Sequence, residues 1–179
     1  MNVAQVFEKN NVSLYVTNIV ASEVISQIMY KLFSYDMKYK IYNIVTLNSH
    51  TNIKHFFCFL NHDDRLVLRG KSSIKGADKI NYRKYFNDMY KSSSKLELKP
   101  YFNQSISIYE DLESKLKLKY LSSNKDSLNK AKEYVKNDIL TINDACHLSS
   151  TAQKKLNYIL SLDNDFDNVN LQEVKLLKI

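Results

Sequence analysis

The chain has 179 residues with 44% hydrophobic content, so it is long enough to bury one core, and its length favours a single domain over residues 1–179. The net charge is +7, and the two cysteines, Cys58 and Cys146, stand far apart and form no Cys-x-x-Cys pair, so they suggest neither a disulfide framework nor a zinc ribbon. No charged leader precedes an apolar segment and no apolar run approaches about 18 residues, so we expect a cytoplasmic protein without a membrane partner.

The first third of the chain alternates between strand and helix patterns. The predicted elements are a helix over residues 1–9, a strand over 12–16, a helix over 19–33, and strands over 41–47 and 56–60. Apolar residues at 20, 24, 28 and 32 predict the buried stripe of the helix over 19–33. Glu23 lies beside this stripe, where a glutamate near a helix start also suits the helix dipole.

The positive charge is concentrated in the middle of the chain. Residues 65–99 carry ten Lys and Arg against three Asp and Glu, and 10 − 3 = +7 equals the net charge of the whole chain. Tyr82, Tyr85 and Tyr90 are interleaved with these cations, a pattern that suits a polyanion with unpaired bases. A solvated lysine-rich surface is the alternative. The predicted nucleic-acid-binding residues are Arg65, Arg69, Lys79, Tyr82, Arg83 and Lys84.

Helical and strand patterns continue through the second half. A helix over 79–91 has Tyr82, Tyr85, Phe86 and Met89 on one face, and Pro100 predicts a turn. The remaining predicted elements are a helix over 104–116, a strand over 116–121, a helix over 126–136, a helix starting at 141, a strand over 158–162 and a closing strand over 174–177.

Two acidic motifs follow these elements. Thr141-Ile142-Asn143-Asp144-Ala145 opens a helix, and Ile159-Leu160-Ser161-Leu162-Asp163-Asn164-Asp165-Phe166 ends a strand. Together they resemble the C-terminal half of PIN-domain nucleases, over residues 116–177. The segment from Leu14 to Val24, a strand followed by a helix with a glutamate, is similar to the second block of that family.

The resemblance implies an α/β fold, a three-layer α/β/α sandwich with a mainly parallel sheet of PIN type, expanded in a basic region at about 36–100. It also implies catalytic Glu23, Asp144 and Asp163, which with Asp165 would hold Mg²⁺ or Mn²⁺, since clustered carboxylates suit hard cations. The family opens with a strand ending in aspartate, and this sequence has only Glu8 in its first helix. The resemblance therefore supplies three of four acidic positions.

The function implied is a metal-dependent endoribonuclease, in which the cation activates water for phosphodiester hydrolysis. Such a protein would be a toxin-like or catalytically weakened member with single-stranded or structured RNA, an antitoxin protein and a second copy of the chain as partners. The alternatives are a non-catalytic module for RNA binding or protein docking, and a structural adaptor.

Each acidic candidate also has a structural explanation. Thr141 and Asp144 fit a capping box, and Asp163 and Asp165 fit a turn. A calcium loop over Asp163, Asp165 and Asp167 is disfavoured because Asn168 and Val174 replace its glycine and glutamate. A zinc site from Cys58, His62, Cys146 and His147 is disfavoured by the adjacent Cys-His pair.

Overall fold

The computed structural model describes residues 3–47, 60–69, 79–161, 164–166, 169 and 174–178. The chain divides into two compact units. Glu23–Leu112 forms the first, which we call the helical unit, and Met1–Ser22 with Glu113–Ile179 forms the second, which we call the mixed unit. Chain length predicted a single domain. That prediction depends on how the two units pack together, so it stays a prediction.

The described elements are mostly helices. In chain order they are α1 (Val3–Lys9), β1 (Tyr15–Thr17), α2 (Asn18–Leu47), α3 (His62–Arg69), α4 (Tyr82–Tyr90), a 3₁₀ helix (Ser93–Leu98), α5 (Lys99–Leu116), β2 (Lys119–Leu121), α6 (Lys125–Asp138), α7 (Ile142–Gln153), β3 (Tyr158–Ser161), a second 3₁₀ helix (Asn164–Phe166) and β4 (Lys175–Lys178). Within the described residues, no helix is long and apolar enough to cross a membrane.

The strands form two parallel pairs, both in the mixed unit. β1 pairs with β2, with Tyr15 opposite Lys119, and β3 pairs with β4, with Tyr158 opposite Lys175. The predicted three-layer α/β/α sandwich with a mainly parallel sheet is therefore wrong. Strands of three or four residues in two-stranded sheets do not supply the broad sheet that such layers require.

The largest local error concerns the strand predicted over 41–47, because α2 continues to Leu47. Its buried residues, Met29, Phe33, Met37 and Ile41, recur every four positions, which is the spacing of one helix face. The predicted stripe at 20, 24, 28 and 32 is displaced by one position from this face and is only half-buried. Of the strand predicted over 56–60, only Leu60 is described, and it is not in a strand.

Aromatic rings fill the core of the helical unit. Phe33 and Tyr85 are each 1% exposed. Phe86 meets Tyr30 and Phe33 edge to face, with ring centroids 4.8 and 5.3 Å apart, and Tyr101 meets Phe33 in the same way at 5.4 Å. These geometries add to the burial energy of the rings. Helices α2, α4 and α5 are thereby held together around one aromatic cluster.

Small and aliphatic side chains, together with Phe166, form the core of the mixed unit. Ala131 of α6 packs with Ala145 and Leu148 of α7, and all three are fully buried. Caps fix the ends of these helices: the Asn124 side chain accepts from the Ser127 backbone N–H, and Thr141 accepts from Asp144. The chain reverses between α6 and α7 at Ile139, where φ is 57°.

Several predicted elements are confirmed locally. The helices predicted over 79–91 and 126–136 are α4 and α6, the helix starting at 141 is α7, and the last two strands are β3 and β4. Pro100 lies in the first turn of α5 rather than before it, a position where its missing N–H costs no helical hydrogen bond.

Candidate nucleic-acid interface

The sequence of helix α4 places aromatic rings on its buried face and cations on its exposed face. Asn81 caps the helix by accepting from the Lys84 backbone N–H at 3.1 Å. The face formed by Tyr82, Tyr85, Phe86 and Met89 is buried, as the sequence predicted. Arg83 and Lys84, which lie between them, are exposed, and so is Lys91 at the C-cap. Three cations therefore lie on the solvent side of one short helix and its C-terminal cap.

The cationic surface extends beyond α4 on both sides. Lys79 precedes the helix, and Lys95 and Lys99 follow it in the 3₁₀ helix and at the start of α5; all three are exposed. Within the described part of the chain, no carboxylate holds these three or the three cations of α4 in a salt bridge. We call these six residues the basic surface: Lys79, Arg83, Lys84, Lys91, Lys95 and Lys99.

Two cations of the basic surface lie over aromatic rings. The Arg83 guanidinium lies 4.8 Å from the Tyr30 ring centroid, and the Lys95 ammonium lies 4.3 Å from that of Tyr90. Tyr90 in turn stacks on Phe102 with centroids 6.0 Å apart. Cation–π contacts of this kind place a charged group without neutralising it. The cations therefore stay available to an anionic ligand.

The buried tyrosines of α4 have structural roles. Tyr82 is 6% exposed, so its ring offers no free face to a base. The Tyr85 hydroxyl donates to the Asp64 carboxylate and accepts from the Asn61 backbone N–H at 3.2 Å, which ties the start of α3 to α4. Burial raises the pKa of Tyr85, and its bond to Asp64 raises that pKa further. Base stacking, which the sequence assigned to these rings, requires other side chains.

The other cations predicted to bind nucleic acid lie on α3. Arg65 is exposed in the middle of this helix, while Arg69 ends it with a side chain outside the described atoms. Residues 70–78, with Lys71 and Lys75, lie outside the described residues. Of the eight cations that the structure describes between residues 65 and 99, six therefore belong to the basic surface.

A second polar cluster ties α2 to α5. The Tyr101 hydroxyl donates to the Asp36 carboxylate, and the Lys40 ammonium bonds the same oxygen, Oδ2, at 2.7 Å. Burial, and then the bond to Asp36, hold the pKa of Tyr101 well above its usual range. The Asp36 carboxylate therefore already has two partners, the Lys40 ammonium and the Tyr101 hydroxyl.

Asp144 occupies the position that the capping motif predicts. Its backbone N–H donates to Thr141 Oγ1 at 3.3 Å, and its carboxylate accepts from the Thr141 hydroxyl. The side chain is half-buried at the third position of α7. The structure therefore gives Asp144 a helix-capping role, and catalysis by Asp144 stays a prediction.

The other acidic candidates lie on separate parts of the chain. Glu23 is exposed on α2, and Asp165 is exposed in the second 3₁₀ helix, while Asp163 lies outside the described residues. Among the residues that the structure describes, no three His, Cys, Asp or Glu side chains form a group that could hold a metal ion. The described residues do not fit Mg²⁺ or Mn²⁺, and the full predicted site, which needs Asp163, stays a prediction.

Sequence reasoning missed two exposed rings on α2. Tyr35 and Tyr39 are each 66% exposed. The signal that would have found them is spacing: both stand two positions from the buried residues Phe33 and Met37, which places them on the opposite side of the helix.

Comparisons of the chain with protein-family models, curated proteins and solved structures find no match.

Proposed function

We propose that the helical unit binds single-stranded RNA through the basic surface. The observation that carries this proposal is six exposed cations on consecutive elements, from Lys79 to Lys99, with no carboxylate holding them within the described residues. Phosphate neutralisation by Lys and Arg supplies most of the affinity of sequence-independent nucleic-acid binding. We propose RNA as the polyanion because RNA is the partner that the PIN-domain resemblance of the mixed unit implies.

The structure supports binding better than cleavage. Binding a polyanion needs only cations at a surface, and the described residues supply them. The hydrolysis that the family resemblance implies needs a metal site, and the described carboxylates form none. RNA binding is therefore the function that we propose, and cleavage is the second candidate.

The test is the salt dependence of affinity, measured by fluorescence anisotropy with a labelled single-stranded oligoribonucleotide. We expect the logarithm of affinity to fall linearly with the logarithm of salt concentration, by about 0.7 per neutralised phosphate. The double substitution Arg83→Glu and Lys84→Glu should flatten that slope by about 0.7 for each phosphate that the variant no longer neutralises.

A matched control changes the same charge in the other unit. Lys132 and Lys136 are exposed lysines on α6, and Lys132→Glu with Lys136→Glu should leave the slope unchanged. Equal effects of the two double substitutions would reduce the basic surface to a contribution of net charge alone. Absence of RNA binding by the unmodified chain would overturn the proposal.

Metal-dependent RNA cleavage is the second candidate, favoured by Asp144 at the helix start that the family resemblance implies. Incubation of the bound RNA with Mg²⁺ or Mn²⁺ tests it. Asp144→Asn, which keeps an oxygen to accept from Thr141, should remove cleavage if the carboxylate acts on the metal. Asp126→Asn, in the first turn of α6, is the matched control.

A further inference from the structure

Helix α2 of the helical unit carries a stripe of exposed residues opposite its core face. Lys31, Tyr35 and Tyr39 recur every four positions, so they lie one above another. The core residues Phe33 and Met37 stand between them on the other side. Lys31 and the two tyrosines therefore project from the side of α2 that faces away from the aromatic core.

The two tyrosines of this stripe are unusually open for rings. Among the exposed large hydrophobic side chains described, only Ile139 and Leu96 are more exposed than the 66% of Tyr35 and Tyr39. Within the described residues, neither ring stacks on another ring, lies under a cation or makes a hydrogen bond with its hydroxyl. Both rings therefore have faces that a planar ligand can reach.

The charges beside the stripe favour an anionic ligand. Lys31 extends it toward the start of α2, and Lys38 lies on its flank with the ammonium 5.8 Å from the Tyr82 ring centroid at the start of α4. Asp36, on the opposite flank, is already bonded to Lys40 and Tyr101. Lys38 therefore connects the flank of the stripe to Tyr82, the residue before Arg83 of the basic surface, and the Asp36 carboxylate is already neutralised.

We propose that Tyr35 and Tyr39 form a stacking platform for two unpaired bases of a single-stranded RNA whose phosphates contact the basic surface. This inference rests on the proposed function and identifies where the bases of the bound strand lie. Rings on which bases stack beside a cationic track are the common solution for binding single strands without sequence preference.

The spacing of the rings selects single strands over duplexes. Four residues of helix rise separate Tyr35 from Tyr39 by about 6 Å along the axis. Successive bases of a duplex strand lie about 3.4 Å apart, and both faces of each base are covered by neighbours. Two adjacent bases can each meet one ring only when they are unstacked from each other. A double-stranded RNA of the same length should therefore gain nothing from the two rings.

The first test separates base stacking from phosphate contact. The probes are a labelled oligouridylate and an abasic oligoribonucleotide of the same length, which keeps the phosphates and lacks the bases. Tyr35→Ala with Tyr39→Ala should weaken oligouridylate binding by about fivefold or more for each ring, given the usual size of base–aromatic stacking. Affinity for the abasic strand and the salt slope should not change.

The conservative substitutions control for folding. Tyr35→Phe with Tyr39→Phe keeps both rings and should bind oligouridylate as the unmodified chain does. Unchanged oligouridylate affinity in the double alanine variant would overturn the stacking platform and leave the proposed function standing. Failure of the unmodified chain to bind either probe would overturn both.

A site-specific reporter follows from the absence of tryptophan in the sequence. Tyr39→Trp introduces a single tryptophan, which oligouridylate should quench by stacking on it. Tyr158→Trp is the matched control, because Tyr158 is 51% exposed on β3 of the mixed unit, and its emission should not respond. Emission from position 39 that shifts with protein concentration without RNA would instead show a second copy covering the stripe, which overturns the inference.

Discussion

The two units fill their cores in different ways. In the helical unit, rings of Phe33, Phe86 and Tyr101 interlock edge to face across three helices. In the mixed unit, the fully buried Ala131 and Ala145 allow α6 and α7 to approach each other closely. In a core of rings, a few large side chains contribute most of the stabilisation. In a core of small residues, close packing of the helices and their caps contribute more of it.

The side-chain hydrogen bonds of the two units can be compared in the same way. In the helical unit, tyrosine hydroxyls bond side chains far along the chain: Tyr101 bonds Asp36, Tyr85 bonds Asp64, and Tyr30 donates to Asn87 at 3.0 Å. In α7 of the mixed unit, Ser149 and Thr151 donate to carbonyls three and four residues earlier in their own helix. Side-chain bonds between elements also occur in the mixed unit, where Thr17 Oγ1 of β1 lies 2.9 Å from His147 Nδ1 of α7, so both units use side-chain hydrogen bonds to join elements.

The largest expected effect comes from removing one ring of the helical unit. Phe33→Ala should lower the free energy of unfolding by about 3–5 kcal/mol, because a fully buried ring leaves a cavity that its neighbours cannot fill. Hydrogen exchange should show weaker protection in α2, α4 and α5. Leu96→Ala is the control: Leu96 is 80% exposed, so the change should be within about 0.5 kcal/mol. Equal effects of the two would refute the ring-centred core.

Alkaline pH should weaken the helical unit through its buried hydroxyls. The pKa values of Tyr85 and Tyr101 are raised in the folded state, so the unfolded chain loses these protons first as pH rises past about 10. Their contribution to stability is complete below that pH and is lost above it. Tyr101→Phe should cost about 1–2 kcal/mol at neutral pH and reduce the alkaline slope, because Asp36 loses a donor.

Absorbance of the ionised phenol and circular dichroism, followed together through the alkaline range, measure this effect. Tyr35→Phe is the control, since the exposed Tyr35 hydroxyl has no partner within the described residues. An alkaline slope that stays the same in Tyr101→Phe would show that Tyr101 keeps no raised pKa in the folded protein.

The sequence predicted local elements better than their assembly. The apolar pattern of α4 and the cap at Thr141 act over a few turns of helix, so the sequence predicts both helices, although it places the start of α4 at Lys79 instead of after its cap, Asn81. The strand predicted over 41–47 failed because a short apolar run fits either state, and contacts of Met37 and Ile41 with distant rings decide for helix. The sheet failed for the same reason, since strand pairing depends on residues remote in sequence.

For the candidate site, the sequence predicted which cations are exposed but not which tyrosines are. Composition located the cations Arg83 and Lys84, because long charged side chains stay at the surface in almost any fold. Composition could not assign the tyrosines: Tyr82 is buried and Tyr35 is exposed, and only the phase of each helix against its core determines which. The described members of the predicted metal site, Glu23, Asp144 and Asp165, form no metal-binding group, and the complete site with Asp163 stays a prediction.

The smallest expected effect lies in the mixed unit and has the opposite sign. Ile139 ends α6 with φ at 57°, a left-handed conformation that costs a side chain branched at Cβ about 1–2 kcal/mol. The side chain is 90% exposed, so its removal sacrifices no burial. Ile139→Gly should therefore raise the free energy of unfolding by about 1 kcal/mol, after the added entropy of the unfolded chain is subtracted.

The same substitution in a helix provides the control. Ile106 is 44% exposed inside α5, where glycine lowers helix stability, so Ile106→Gly should destabilise the protein by roughly 0.5–1 kcal/mol. Urea unfolding of the two variants measures both changes. Opposite signs would show that backbone conformation, rather than removal of an exposed apolar side chain, governs the change. Destabilisation by Ile139→Gly would mean that Ile139 is not held in the left-handed region in the folded protein.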